Sequence, residues 1–431
     1  MVDLLKTPMF DPLVLSAVFF SILFFLKCAK HSKALNLPPT PPRLPLIGNL
    51  HQLGSHVHQS FRDLSDNQRR LHLLHSIRKK EVETMTAKMR ESCVHENVPV
   101  NLWDILLVML IKILCEFGFG EEFEGEEHAK RFKTLLEDFL LVSVSFSFKE
   151  FFPSIGWMDK FTGFEAKLQE ISKELDAFLG NVIKKHEHSM KRAHVLSDEE
   201  KDCVDILLHH RSNSGHGGAD LTMDNMKGLL MNLLIGGSDT SAATIEWTMA
   251  ELVRNPTAMK KAQEEVRRVV GKNANLDADD ISQLEYLKSA IKETLRLHPP
   301  APLMLPRQTS SWVKLNGYDI PPKTNVLINV WAIQRDPKLW DMPEDFRPER
   351  YYDNPVDFKG QHFEFLPFGS GRRGCPGIAI SLSTVEFVLA HLLYWFNWGL
   401  PKGKDLDMSE SNGAIIHMKN SLHLVPTPYR P

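Results

Sequence analysis

The sequence lacks the signals of several common protein classes. It has five cysteines among 431 residues, and no two of them form a Cys-x-x-Cys pair. This scarcity argues against a disulfide framework and a structural zinc site, and it is typical of a reducing compartment. The formal net charge is only −3, without a basic stripe interleaved with aromatic residues, so we expect no nucleic-acid partner. The spacing Gly-x-Gly-x-x-Gly occurs once, at Gly369–Gly374, but no predicted strand of a nucleotide-binding βαβ unit precedes it.

One apolar run stands near the N-terminus, at Pro12–Leu26, and Lys27, Lys30 and Lys33 follow it. Its fifteen residues span only ~22 Å as a helix, somewhat short of a full membrane crossing. A cleaved signal peptide is the competing interpretation, but the residues before the run are not basic. We therefore predict an uncleaved membrane anchor in residues 1–33, with the lysines on the cytosolic side.

A proline-rich segment, Leu37–Pro45, follows the apolar run and leads into Leu46–Leu50. Proline fixes φ and disfavours helical backbone at the residue before it, so this segment is a stiff connection. An ordinary spacer is the alternative. Its place predicts a hinge over residues 34–50 and a globular domain over residues 51–431. Because 43% of the residues are hydrophobic, this length can bury a large core.

Hydrophobic periodicity predicts that most of this domain is helical. The predicted helices cover residues 58–95, 101–119, 129–148, 164–188, 204–210, 222–255, 256–271, 283–298 and 378–396. Shorter β-structure is predicted as a hairpin with an Asn-Gly turn at 312–320, a strand at 325–330 and a hairpin around 412–419. The predicted fold class is therefore mainly α with a small β-sheet region.

The longest predicted helix, residues 222–255, is interrupted in its middle by Gly236-Gly-Ser-Asp-Thr-Ser241. A mid-helix glycine costs about 1 kcal/mol relative to alanine. Such a violation usually marks a place where a ligand comes close or the helix kinks. A simple helix end is the other interpretation, but residues 242–254 resume the helical pattern at once.

One cysteine stands in a glycine-rich loop, Phe368-Gly-Ser-Gly-Arg-Arg-Gly-Cys-Pro-Gly377, directly before the helix predicted over 378–396. The glycines let the backbone fold tightly against a flat ligand. At a helix N-terminus the free N–H groups and the dipole favour a thiolate over a thiol. Cys375 is therefore a candidate metal ligand, and a buried, inert cysteine is the alternative.

Two short motifs carry weak signals on their own. Glu293 and Arg296 stand three residues apart on the helix predicted over 283–298, a spacing that usually gives a surface pair worth ~0.2–0.5 kcal/mol. Arg350 lies downstream in the proline-rich segment Pro343–Tyr351. Neither motif assigns a function by itself.

The loop Phe368–Gly377 resembles the haem-binding loop of the cytochromes P450. The apolar run, the proline hinge, the long helix with its glycines, Glu-x-x-Arg and Pro-Glu-Arg precede it in the order found in that family. The sequences around these motifs are similar to those of the plant microsomal enzymes of specialised metabolism. The resemblance implies the cytochrome P450 fold, a haem b cofactor (iron protoporphyrin IX) and monooxygenase activity.

The resemblance also implies a role for each motif around the haem. Cys375 would be the proximal iron ligand, and Asp239 and Thr240 would be the catalytic pair that relays protons to dioxygen. Gly236 would leave room for the oxygen molecule. Arginine side chains would pair with the haem propionates. The further residues implied to contact haem are Phe368, Gly371, Arg373, Gly377 and Arg307.

Two further groups of residues follow from the resemblance. A rigid structural cluster of one carboxylate and two guanidinium groups would comprise Glu293, Arg296 and Arg350. A substrate pocket would be lined by Gly236 and by apolar residues of two later segments. For those apolar residues an ordinary place in the core is an equally good interpretation. They are Ala301, Met304, Leu305, Ala414 and Ile415.

The resemblance implies partners and a location as well. Enzymes of this type are single-pass proteins of the endoplasmic reticulum membrane whose catalytic domain faces the cytosol. They take electrons from NADPH–cytochrome P450 reductase and oxidise small lipophilic plant metabolites, such as coumarins, terpenoids and alkaloids, with O2. A P450 that rearranges its substrate is an alternative, and the intact Asp239–Thr240 pair speaks against it.

One departure from the family pattern stands near residue 65. Family members carry several dozen further residues between the segment Phe61–Ser65 and the helix around 71–90. That part contributes the first strands of the sheet, a lid helix and a Trp-x-x-x-Arg helix that binds the propionates. The expected fold is therefore incomplete at the N-terminal sheet and at the lid and propionate-binding helices. A catalytically dead form that does not retain haem is the alternative to an active monooxygenase.

Overall fold

The computed structural model describes residues 68–93, 98–120, 126–143, 145–192, 202–212, 221–273, 276–352 and 354–430. The predicted anchor at 1–33 and the predicted hinge at 34–50 lie outside these residues. The described residues belong to two compact units. Of these residues, the smaller unit comprises Pro306–Leu327, and the larger unit comprises the rest.

Helices form most of the larger unit, as the sequence predicts. They are α1 (Gln68–Ser92), α2 (Leu102–Phe119), α3 (Glu126–Ser143), α4 (Phe148–Phe151), α5 (Phe164–Arg192), α6 (Cys203–Ser212), α7 (Met223–Arg254), α8 (Pro256–Val270), α9 (Ala278–Ser282), α10 (Glu285–Leu297), α11 (Val330–Ile333) and α12 (Ile378–Trp395). Short 3-10 helices lie at Pro153–Lys160, Gly271–Asn273, Pro348–Tyr351 and Gly371–Arg373.

The prediction of a single helix over 129–148 is wrong. α3 begins at Glu126 and ends at Ser143, and α4 begins separately at Phe148. Asp159 explains the separate start. Its carboxylate accepts hydrogen bonds from the Ser147 hydroxyl at 2.8 Å and from the backbone N–H of Phe148 at 2.7 Å. A side chain from later in the chain therefore caps α4, which the local sequence pattern does not reveal.

The described β-structure consists of short antiparallel strands. They are β1 (Val100–Asn101), β2 (Arg307–Gln308), β3 (Val313–Leu315), β4 (Tyr318–Ile320), β5 (Asn325–Val326), β6 (Phe396–Gly399) and β7 (His423–Pro428). In the larger unit β7 pairs with β1 and β6. In the smaller unit β2 pairs with β5, and β3 and β4 form the predicted hairpin. Its turn residues Asn316 and Gly317 have φ of 49° and 82°, which suits a type I′ turn.

Two strand predictions are wrong in extent. The strand predicted over 325–330 ends at Val326. It does not continue because the side chain of Asn329 accepts a hydrogen bond from the backbone N–H of Ala332 and so caps the start of α11. The hairpin predicted around 412–419 is reduced to one bridge between Glu410 and Met418. The pairing of β6 with β7 was not predicted, since β7 contains two prolines and proline weakens a strand signal.

α7 is the helix against which much of the larger unit packs, including α2, α8, α10 and α12. Thr222 begins it with a capping box, in which its side chain and that of Asn225 each accept the other's backbone N–H. Gly237 lies where α2 crosses. A Cβ at this position would lie 2.9 Å from Leu114 Cδ1, so any larger residue would require the Leu114 side chain to move.

α12 follows the cysteine loop directly. Among the described residues it is the one helix long and apolar enough to cross a membrane, with mean hydropathy 1.5. However, 61% of it is buried inside the protein, where it packs against α1, α7 and α8. This helix is therefore part of the core.

Candidate active site

The cysteine loop is closed by its own backbone. The N–H of Cys375 donates to the carbonyl oxygen of Phe368 at 2.8 Å. Gly369 and Gly371 have φ of 71° and 70°, values that residues with a side chain rarely adopt. The loop therefore needs glycine at these two positions to bring Cys375 next to Phe368. Phe368 is half-buried and its ring packs edge-on against Phe358, with centroids 5.5 Å apart.

The Cys375 thiol is exposed to solvent at the start of α12. Surrounding protein nevertheless raises its pKa, and the backbone N–H of Gly377, which donates to the sulfur, only partly opposes this. The position at the helix start therefore does not by itself make this cysteine a thiolate, in contrast to the prediction from the helix dipole. A bound metal cation would convert it to a thiolate, because a coordinating thiol loses its proton.

α7 presents an open face at Gly236 and Thr240. A Cβ on Gly236 would meet no atom within 4 Å, and the residue is exposed although it lies in mid-helix. Thr240 is half-buried one turn later, and its hydroxyl donates to the Gly236 carbonyl oxygen at 2.6 Å. The helix runs unbroken through both residues, so this glycine opens space beside the helix and does not end it.

Asp239 precedes Thr240 and is only 4% exposed. Burial disfavours its charged form and, together with the negative charge of Glu137, raises its pKa from 3.8 to about 7. A carboxyl group with this pKa can both release and take up a proton near neutral pH. Asp239 is therefore a buried group that can exchange a proton, and the half-buried hydroxyl of Thr240 follows it in the helix.

A hydrogen bond between two hydroxyls joins α7 to α12. Ser241 Oγ and Ser381 Oγ lie 3.0 Å apart, and the N–H of Ser381 donates to the Gly377 carbonyl oxygen at 2.8 Å. This contact connects the residue after Thr240 to the end of the cysteine loop. Sequence reasoning missed Ser381, because a serine in a helix carries no signal of a partner on another helix.

The structure brings Glu293, Arg296 and Arg350 together. Arg296 donates to both carboxylate oxygens of Glu293 at 2.9 Å, and Arg350 Nε donates to Glu293 Oε1 at 2.8 Å. The side chains of Glu293 and Arg296 are 0% exposed and that of Arg350 is 9% exposed. The remaining guanidinium N–H groups donate to backbone carbonyls in residues 334–345. A buried and fully bonded cluster of this kind is rigid.

Gln334 connects this cluster to the cysteine loop. Its side-chain amide donates to the carbonyl oxygens of Leu295 and Arg296 at 3.0 Å, and its Oε1 accepts the N–H of Leu366 at 2.9 Å. Leu366 stands two residues before Phe368 in the chain. Gln334 is fully buried, and sequence reasoning missed it because a lone glutamine matches no motif.

The predicted pocket residues lie at two backbone segments that meet. The N–H of Ile416, the residue after Ile415, donates to the carbonyl oxygen of Pro300, the residue before Ala301, at 2.9 Å. Met304 has a φ of 53°, and its sulfur would lie 4.0 Å from a Cβ on Gly369. Met304 is therefore next to the cysteine loop. The other two predicted residues, Leu305 and Ala414, are exposed.

The two predicted propionate partners belong to different units. Arg373 is exposed in the 3-10 helix within the cysteine loop, and Arg307 is half-buried in β2 of the smaller unit. The pattern Trp-x-x-x-Arg does occur, at Trp331–Arg335, where the Arg335 guanidinium carbon lies 4.2 Å from the ring centre of Trp331. This copy stands at α11, far along the chain from the helix expected before α1.

The residues present fit a haem group. The sulfur of Cys375 supplies a soft ligand for iron, and the glycines of its loop let the backbone approach a flat ring. The open face at Gly236 and the half-buried hydroxyl of Thr240 belong to a helix tied to the same loop through Ser381. Arg373 offers a positive charge for a propionate at the loop itself.

Comparison with known proteins identifies the family. The family model described as "Cytochrome P450" matches residues 67–425. The phenylacetaldehyde oxime monooxygenase of Prunus mume is 38% identical over 495 residues, which cover 96% of this chain and 93% of that protein. Cytochrome P450 71A1 of Persea americana is 48% identical over 361 residues, covering 83% of this chain and 72% of that protein.

Solved structures share the fold. A zebra fish cytochrome P450 solved with abiraterone has a TM-score of 0.71 and 22% identity, and the match covers 87% of this chain and 81% of that one. The sequence alignment to the Prunus mume enzyme spans 495 residues, more than the 431 of this chain, so that enzyme contains residues without a counterpart here. From the family model and these relatives we conclude that the chain belongs to the cytochrome P450 family and is a cytochrome P450 monooxygenase.

Proposed function

We propose that the chain inserts one oxygen atom of O2 into a small lipophilic plant metabolite, with electrons delivered by NADPH–cytochrome P450 reductase. The observation that carries the proposal is the connection between two motifs. Cys375 stands exposed at the start of α12, and the Ser241–Ser381 hydrogen bond of 3.0 Å ties this helix to α7 beside Thr240. The proposed metal ligand and the proposed proton-relay pair would therefore belong to one connected frame.

Cys375 would hold the haem, and the haem would supply the oxygen-activating chemistry. The protein's own contribution is position and protons. Thr240 holds a hydroxyl beside the open space at Gly236, and Asp239 can exchange a proton near neutral pH. Arg373 and Arg307 would pair with the propionates, and Phe368, Gly371 and Gly377 would shape the loop around the ring.

The Glu293–Arg296–Arg350 cluster would act as structural support. It ties α10 to the segment 341–350 by hydrogen bonds, and Gln334 extends the connection to Leu366 before the cysteine loop. Ala301, Met304, Leu305, Ala414 and Ile415 would line the pocket wall and exclude water from the substrate. Their side chains are apolar, so we infer a lipophilic substrate.

The substrate class has further support in the relatives' names. One relative is a phenylacetaldehyde oxime monooxygenase, whose substrate has an aromatic ring. We propose that residues 1–33 anchor the chain in the endoplasmic reticulum membrane in a single pass. The hinge at 34–50 would then orient the haem-binding domain, residues 51–431, towards the cytosol.

Reconstitution tests the proposal. The full chain would be combined in lipid vesicles with an NADPH–cytochrome P450 reductase, and haem content and NADPH-dependent products would be measured for a panel of aromatic oximes, coumarins and terpenoids. We expect stoichiometric haem and at least one product that contains an atom from O2. A chain that retains no haem would instead be the catalytically dead alternative, which follows from the family residues that this chain lacks near residue 65.

A further inference from the structure

Two aromatic side chains, one on a helix and one directly after another helix, form a buried stack. Trp247 lies on α7, and His298 directly follows α10. Their ring centroids are 4.0 Å apart, with an angle of 3° between the planes. Trp247 is 0% exposed and His298 is 8% exposed. Neither residue belongs to a motif that the proposed function uses.

Trp247 holds the backbone of Ile416. Its indole N–H donates to the Ile416 carbonyl oxygen at 3.2 Å. The backbone N–H of Ile416 donates to the Pro300 carbonyl oxygen at 2.9 Å. Ile416 therefore uses both backbone groups in this arrangement. The hydrogen bond from Trp247 therefore links α7 to the segment 412–417. The hydrogen bond from Ile416 to Pro300 links that segment to the segment 300–305.

His298 is held by a hydrogen bond at one of its two ring nitrogens. Its Nε2 lies 2.8 Å from Glu251 Oε1, a carboxylate oxygen of α7. Its Nδ1 lies 3.9 Å from Glu410 Oε1, and Glu410 forms the backbone bridge to Met418 at the base of the second segment. The imidazole thus stands between a carboxylate of the long helix and a carboxylate of the C-terminal loop, while its flat face supports Trp247.

We propose that Trp247 and His298 are positioning residues that set the distance between the segments 300–305 and 412–417, and so decide the shape of substrate that the pocket accepts. The inference rests on the proposed function, because those segments carry Ala301, Met304 and Ile415. Pro299 and Pro300 restrict the backbone that enters the first segment, so its place depends on what holds Pro300.

Hydrogen exchange tests the first step without any need for haem. Trp247→Phe keeps an aromatic ring in the stack and removes the N–H that Ile416 accepts. We expect amide exchange in the peptide 412–418 to rise by about fivefold, the effect of losing one ordinary hydrogen bond. Trp398→Phe is the matched control, because Trp398 also donates its indole N–H to a backbone carbonyl, that of Leu392, at 2.9 Å.

Ligand binding tests the effect on pocket shape. Imidazole and 4-phenylimidazole both bind haem iron through nitrogen, but only the second has a ring that reaches the pocket wall. In Trp247→Phe we expect the Kd of 4-phenylimidazole to rise about fivefold, as for one lost hydrogen bond, with the Kd of imidazole unchanged. Trp398→Phe should change neither value. His298→Gln keeps a hydrogen-bond donor for Glu251 and loses the stacked ring. This variant should also raise the ratio of the Kd of 4-phenylimidazole to the Kd of imidazole.

The outcomes are distinct. Unchanged exchange at 412–418 in Trp247→Phe overturns the inference, whether or not the chain binds haem. Raised exchange with an unchanged ratio of the two Kd values in both variants also overturns it, since the stack would then be only structural. A chain without haem refutes the proposed function, and the exchange measurement alone then decides whether the stack positions these segments. A change confined to Trp247 and His298 variants supports the inference.

Discussion

The hydroxyl oxygens of Ser241 and Ser381 lie 3.0 Å apart and join the two helices that carry the candidate catalytic residues. Ser241 directly follows the pair Asp239–Thr240, and Ser381 follows the cysteine loop by one helical turn. Because each serine is on a different helix, this bond fixes how far the Thr240 hydroxyl can move relative to the loop. A site that moves protons needs such fixed distances.

Replacement of Ser241 by alanine is expected to lower the free energy of unfolding by about 1 kcal/mol. Ser381→Ala should have a similar effect, and the double variant should lose less than the sum, since both changes remove the same bond. Chemical denaturation of the three variants gives the values. The control is Ser238→Ala, a buried serine of α7 whose hydroxyl donates to Leu234 within its own helix. Full additivity of Ser241→Ala and Ser381→Ala would show that the hydroxyls are not coupled.

Arg350→Lys is expected to destabilise the protein by about 3 kcal/mol or more, because it breaks a buried charge cluster around Glu293. Lysine keeps the charge but cannot reproduce the guanidinium bonds to Asp341 and Met342. Arg347→Lys is the matched control on the same segment. Arg347 pairs with Asp341 in an exposed ion pair, so its loss should cost about 1 kcal/mol or less. Equal thermal midpoints for the two variants would contradict the structural role of the cluster.

Asp239→Asn is expected to change how stability depends on pH. The pKa of Asp239 rises from 3.8 to about 7 on folding, so the folded chain holds a proton that the unfolded chain has lost. Stability therefore falls as the pH rises through this window, and the loss is complete above the folded pKa. The variant should be more stable than the parent above neutral pH, by on the order of a few kcal/mol, and similar to it near pH 4.

Thermal midpoints of both chains across this pH range check that prediction. Glu246→Gln is a useful comparison, because burial also raises the pKa of Glu246 to about 7, while its Oε1 accepts the N–H of Leu422 at 2.9 Å. If the parent and Asp239→Asn lose stability in parallel as the pH rises, the carboxyl of Asp239 is not held protonated in the folded protein.

Thr240→Ala is expected to leave haem binding intact and to divert electrons into hydrogen peroxide. The change removes the hydroxyl that stands beside the open space at Gly236, and it leaves Cys375 unaltered. The measurement is the ratio of product and peroxide to NADPH consumed in the reconstituted system, with a loss of product yield of about tenfold or more for a damaged proton transfer. Thr244→Ala serves as control, since Thr244 donates only to the carbonyl of Thr240. An unchanged product yield would refute the role of Thr240.

The helical part of the fold could be predicted because its signals are local. Thr222 before an apolar run, Pro256 at a first turn and Gly271 after a last turn each mark a helix boundary through nearby atoms. The cysteine loop was recognisable for the same reason, since ten consecutive residues carry the motif. The Asn-Gly turn likewise needs only φ values that its own residues adopt.

Features that depend on distant partners could not be predicted. Asp159 caps α4 from 11 residues further along the chain than Phe148. The strand β7 pairs with strands that lie far from it in the sequence. Gln334 connects two motifs without belonging to either. The pKa of Cys375 also depends on the protein that surrounds it. The helix position alone predicted a thiolate, whereas desolvation of the sulfur by the surrounding protein favours the thiol.

The absorption spectrum of the reduced, CO-bound chain tests most directly whether Cys375 ligates haem iron. We predict that the full chain shows the long-wavelength Soret band typical of thiolate ligation, and that Cys375→Ala loses it. Cys93→Ala, at a half-buried cysteine of the described chain, should retain the band and so control for the loss of a thiol. A normal band in Cys375→Ala, or its absence from the unaltered chain, would contradict ligation by Cys375.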